Sequence, residues 1–151
     1  MKNLIKTFVQ NTQDSNNSIA SLALRVPTGI IFAAHGAQKL FGWFGGYGLQ
    51  GTAGWMESIG LTPGIPLALL AGGAEFFGGL ALILGLLTRP AAVVLAITML
   101  VAIFSVHFTN GLFMSNNGYE FALSLLAISV ALTFSGAGRF AIDNWLAKKL
   151  A

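Results

Sequence analysis

The stretch Ile65–Phe108, IPLALLAGGAEFFGGLALILGLLTRPAAVVLAITMLVAIFSVHF, decides the fold class. It contains two apolar runs, Ile65–Leu87 and Pro90–Phe108, joined only by Thr88 and Arg89, and Glu75 is the one charged residue in the first. A helix of about 20 apolar residues crosses a hydrocarbon core of ~30 Å, so each run reads as a membrane span. So short a joint makes the two spans antiparallel neighbours. Helices are required because lipid leaves the backbone of an open strand unsatisfied. The whole chain agrees: its 151 residues are 55% hydrophobic and 9% charged, with mean hydropathy +0.75. A soluble domain carries about 25% charged residues.

Two further spans flank this pair. Ser18–Phe41 carries Arg25, His35 and Lys39, and Pro27 inside it predicts a kink. Tyr119–Phe134 opens with Glu120 and is near the lower length limit for a span. Residues 18–140 therefore read as a four-span domain, an all-α transmembrane bundle. Ahead of it, Leu4, Ile5, Phe8 and Val9 lie opposite Lys2 and Lys6 at helical spacing, so residues 1–17 read as an amphipathic surface helix and a polar linker. Gly42–Gly51 has the glycines and aromatics of an outer interfacial loop. Thr52–Gly60 is expected to be a brief helix capped by Thr52, with Trp55, Met56 and Ile59 toward the membrane. Residues 141–151 read as a basic cytoplasmic tail. Lys2, Lys6, Arg89, Arg139, Lys148 and Lys149 fall on one side of a four-span arrangement, which predicts both termini in the cytoplasm. The net charge of +3 is read as this topology signal, not as a nucleic-acid footprint. The absence of cysteine excludes disulfides, thiolate nucleophiles and iron–sulfur clusters.

Helical periodicity turns the ionisable residues inward. At 100° per residue Arg25, Thr28, Gly29, His35, Gly36 and Lys39 form one stripe of the first span. Ala68, Gly72, Glu75 and Gly79 share a face of the second, where small residues permit close contact. Glu120, Ser124, Ala127 and Ala131 are read the same way on the fourth. An Arg25–Glu75 ion pair is expected as a buried strut, while His35, Lys39, His107 and Glu120 gather toward the outer side as candidate ligand-binding or proton-exchange groups. A faint repeat supports a two-pair organisation: Ile31-Phe32-x-x-His35-x4-Leu40-Phe41 matches Ile103-Phe104-x-x-His107-x4-Leu112-Phe113.

Three chemistries suit the outer cluster. A metal site would use His35, His107, Glu75 and Glu120, but no HExxH or ExxH spacing supports it. Haem would use His35 and His107 as axial ligands, with nothing further to specify it. A quinone-like molecule needs an apolar slot, hydrogen-bond partners and a proton route, which the His and Glu residues with Phe32, Phe41, Trp43, Phe104 and Phe113 supply. Quinone is the favoured cofactor of the three. The competing account is structural: each histidine caps a helix end and the aromatics form an interfacial belt.

The segments LRVPTGIIFAAHGAQKLFG (Leu24–Gly42), GGAEFFGGLALILGLLTRPAA (Gly72–Ala92), MLVAIFSVHFTNGLF (Met99–Phe113), NGYEFALSLL (Asn117–Leu126) and GAGRFAID (Gly136–Asp143) together resemble the DoxX family of membrane proteins. The resemblance implies a four-span protein of the bacterial inner membrane. It also implies a link to sulfur-compound oxidation through the quinone pool, or to oxidative-stress complexes. Arg25, His35, Lys39, Glu75, His107 and Glu120 match polar positions of the family pattern. Gly136, Gly138, Arg139 and Asp143 match its C-terminal motif, which often has Ser where Phe140 or Ala141 stands here. Arg139 and Asp143, at i and i+4, are expected to brace the inner end of the fourth span. Without cysteine, any thiol step belongs to a soluble redox partner. The alternative function is a non-enzymatic scaffold or a small transporter built as a homo-oligomer in the bilayer.

Overall fold

A computed structural model describes residues 19–150. The amphipathic helix expected within residues 1–17 lies outside them. Helix α1 spans Ile19–Phe41, α2 Gly48–Ser58, α3 Gly64–Leu84, α4 Thr88–Ala102, α5 Glu120–Ser135 and α6 Ile142–Leu150. A π turn, Ile103–His107, and a 3-10 turn, Phe108–Asn110, extend α4. No strand occurs among the described residues. Helices Ile19–Phe41, Gly64–Leu84 and Thr88–Asn110 are long and apolar enough to cross a membrane. Helix α5, with 16 residues, is apolar but reaches only ~24 Å.

The helices form two tight pairs, α1 with α3 and α4 with α5, and α3 packs on α4 to join them. Glycine makes the first pair. A Cβ on Gly36 would fall 2.7 Å from the Gly72 carbonyl oxygen and against the Phe76 nitrogen, and one on Gly79 would fall 2.6 Å from the Gly29 oxygen. The two backbones are therefore in contact, as small-residue stripes allow in membranes. Arg25, Thr28, Gly29 and Gly36 are buried on α1, and Ala68, Gly72, Glu75 and Gly79 on α3, the faces that periodicity selected. Helix α1 runs through Pro27 as one element from Ile19 to Phe41.

Larger side chains fill the second half. Leu82, Ala92, Leu95, Met99, Ile103, Ala122, Leu125 and Leu132 cluster with Phe32. This corrects the expected face of α5: its buried residues are Ala122, Leu125, Ser129 and Leu132, while Ser124, Ala127 and Ala131 point outward. Leu95 and Met99 on α4 sit in one cluster with Leu125 and Leu132 of α5, which turns Ser124, Ala127 and Ala131 to the opposite side. The joint between α3 and α4 is Gly85–Leu87, with Thr88 already helical. Gly85 (φ 63) and Leu87 (φ 48) take left-handed conformations to make the reversal.

Helix α2 also departs from expectation. It starts at Gly48, so Thr52 lies inside it and its hydroxyl donates to the Lys39 carbonyl at 3.3 Å instead of capping. Met56 is buried against Ala53 and Ala68, while Trp55 and Ile59 remain partly exposed.

Candidate functional site

Helix α1 carries a polar centre near each end, and Arg25 and Lys39 are ~21 Å apart along its axis. Arg25 is completely buried. Its Nε donates to the Ala137 carbonyl at 2.8 Å. Nη1 donates to Leu82 and Ile83 at 2.9 and 2.6 Å, and Nη2 to Arg139 and Phe140 at 3.0 and 2.7 Å. A guanidinium has five N–H donors, so every one is used. Leu82 and Ile83 lie in the last turn of α3, where carbonyls lack their i+4 helical partners and the helix dipole favours a cation; Leu82 also accepts from the Gly85 N–H at 3.2 Å. The other three carbonyls belong to the connector between α5 and α6.

Asp143 completes this knot. Its Oδ1 accepts from the Leu87 backbone N–H at 2.7 Å and its Oδ2 from that of Thr88 at 2.9 Å, so a buried carboxylate caps α4. Its own N–H donates to the Gly85 carbonyl at 2.9 Å. The expected brace from Arg139 to Asp143 is not what forms: Asp143 turns inward, and Arg139 lies exposed, 5.4 Å over the Phe140 ring.

The expected Arg25–Glu75 pair is likewise corrected. Gly29 meeting Gly79, and Gly36 meeting Gly72, set an antiparallel register that puts Arg25 level with Ile83. Glu75 is then about two turns, ~12 Å, farther along α3. Its Oε2 accepts from Lys39 Nζ at 2.5 Å. Lys39, expected in the outer cluster, and Glu75, expected in the strut, are joined by this register.

This ion pair borders a cavity of about 300 Å³ between α1, α3, α4 and α5, closed on one side by α2. Phe32, Met99, Phe121 and Leu125 give it an apolar body, and His35, Lys39, Glu75 and His107 bring polar groups to it. The His35 ring contacts Phe121 at a centroid distance of 6.0 Å. His107 belongs to the π turn, and such turns reset which face of a helix a residue occupies. Its Nδ1 lies 2.8 Å from the Asn117 carbonyl. A carbonyl can only accept, so Nδ1 is the donor in this contact and Nε2 is the ring nitrogen it leaves uncommitted. A second cavity of about 270 Å³, lined by Gln38, Gly45, Gly46, Tyr47 and Thr52, shares Lys39 and Trp55 with the first.

Glu120 does not join the cavity lining. Its Oε1 accepts from the Met114 N–H at 2.6 Å, and its own N–H donates to the Leu112 carbonyl at 2.9 Å, so it organises the loop before α5. Trp55, Met56, Ser105 and Asn117 line the cavity without having been expected to. Trp55 and Met56 were expected to face the membrane, and no local pattern marked Asn117. Among the described residues no three His, Asp or Glu side chains converge as a metal-ligand set.

The family model DoxX matches residues 20–108. A protein of Bacillus subtilis (strain 168) named "Putative oxidoreductase CatD" is 37% identical over 130 residues, 86% of this chain and 89% of its own. An uncharacterized Haemophilus influenzae protein is 41% identical over 110 residues, 67% of this chain and 82% of its own. The "Inner membrane protein YqjF" of Escherichia coli (strain K12) is 35% identical over 139 residues, 87% of this chain and 95% of its own. No solved structure matches.

Proposed function

The chain belongs to the DoxX family of membrane proteins, and from that premise we propose that it is the membrane subunit of a redox system for oxidative stress or sulfur compounds, binding the head of a quinone-like molecule. One observation carries the reading: an apolar cavity of about 300 Å³ in which a Lys–Glu pair and two histidines converge. Small-molecule sites start at about this size and combine apolar walls with a few polar groups. Lys39 is the donor toward a quinone oxygen. Glu75, His35 and the Nε2 of His107 are acceptors for a hydroquinone hydroxyl and stations for its proton. Arg25 and Glu120 have no part in this exchange, since both are held by backbone groups. The name of the Bacillus subtilis relative is consistent with oxidoreduction. Electrons pass to or from a soluble partner, because no side chain here is a redox carrier.

In this reading α5 is the fourth span, and its shortness is met by local thinning of the bilayer. Arg89, Arg139, Lys148 and Lys149 mark the cytoplasmic end in a bacterial inner membrane, with both termini there. The test is solvent extraction of the purified protein for bound quinone, with titration by a short-chain quinone followed through Trp55 fluorescence. Bound quinone and saturable quenching, lost in Glu75→Gln, support the reading. No extractable quinone and no saturation overturn it in favour of the scaffold or oligomeric transporter, for which the outward Ser124, Ala127 and Ala131 would supply a packing face.

A further inference from the structure

Helix α6 is attached to the bundle by its polar side. Asp143 and Ala147 are buried, Asp143 caps α4, and Asn144 Nδ2 donates to the Gly138 carbonyl at 2.7 Å. Helical geometry gathers Ile142, Trp145, Lys148 and Lys149 into one sector of about 120° on the other side. All four are exposed. Lys149 Nζ lies 4.2 Å over the Trp145 ring. Beside them, Arg139 covers the Phe140 ring, and that phenylalanine is 77% exposed. A helix facing bulk water would put its acid outward and its tryptophan inward; α6 does the reverse.

We propose that α6, with Arg139 and Phe140, is an anchor for anionic phospholipid that lies in the membrane interface and is not a free tail. Tryptophan and phenylalanine settle at the headgroup boundary, and lysine and arginine alongside them meet lipid phosphates. The surface so presented has three cations, Arg139, Lys148 and Lys149, and its one acid, Asp143, is turned away into the bundle. Charge complementarity therefore selects an anionic headgroup over a zwitterionic one. The inference is independent of what the cavity binds.

The test uses the full chain with Trp43→Phe and Trp55→Phe, which leaves Trp145 as the one tryptophan of three. It is reconstituted in phosphatidylcholine bilayers with and without phosphatidylglycerol. Expected are blue-shifted emission, weak quenching by acrylamide, and quenching by brominated phosphatidylglycerol about three-fold stronger than by brominated phosphatidylcholine. Lys148→Gln with Lys149→Gln should remove that preference. Strong acrylamide quenching without bromolipid quenching, meaning water or a protein on this face, would overturn the proposal, as would equal quenching by the two lipids. If the phenylalanine variant does not fold, native mass spectrometry of the unaltered chain decides: selective retention of phosphatidylglycerol, lost in the lysine variant, supports the anchor, and equal retention refutes it.

Discussion

Arg25 and Lys39 stand on one helix and on one polar stripe, yet they are held in different ways. Arg25 is sealed from solvent and its donors all end on carbonyls fixed by backbone geometry. Lys39 keeps 26% of its side chain accessible, makes one ion pair, and borders two cavities. A group saturated by immobile partners can hold helices together but cannot exchange them for a ligand. A group with a single side-chain partner beside open space can. In the proposed reading the first centre holds the bundle and the second is where a ligand competes.

Substitutions should separate the two centres, beginning with the largest effect. Arg25→Met takes a donor from five carbonyls, of which Leu82 alone keeps another in the Gly85 N–H, and thermal unfolding in detergent should show a loss of about 3 kcal/mol or more. Arg25→Lys should recover only part of it, because an ammonium lacks the planar fork. Equal stability of Arg25→Met and the parent chain would break the contrast.

Gly36→Ala should cost about 2 kcal/mol by driving a methyl into the Gly72 and Phe76 backbone. Because the same contact sets the register that joins Lys39 to Glu75, quinone titration of this variant should weaken together with its melting point. Asp143→Asn should cost about 1 kcal/mol, the scale of a lost helix cap, and leave quinone titration unchanged.

Glu75→Gln should move the melting point least. Lys39 is partly solvated, so the pair contributes well under the value of a sealed one, below about 1 kcal/mol. Its effect should appear instead in binding, as a loss of about ten-fold in affinity for a short-chain quinone, one lost charge-assisted hydrogen bond. A large fall in stability with unaltered binding would put Glu75 in the same class as Arg25.

The faces of α1 and α3 were legible because both helices repeat small and polar residues at helical spacing and meet each other along that stripe. The same reasoning failed on α5. Its Leu125 and Leu132 cluster with Leu95 and Met99 of α4, which leaves Ser124, Ala127 and Ala131 outward, and Glu120 is drawn to the Met114 N–H by a loop that periodicity does not describe. The end of the chain read as a basic tail by composition alone, and only the inward turn of Asp143 reveals a helix docked against the joint between α3 and α4.

Apolar run length and glycine spacing determine that this is an all-helical membrane protein, and which sides of its first two long helices turn inward. Those properties are local, written every three or four residues along one strand of sequence. Which charge meets which partner was decided by the tertiary structure. Sliding α1 against α3 by two turns would exchange the partners of Arg25 and Glu75 without altering either helix, and the glycine contacts that prevent the slide exist only once both helices are in place.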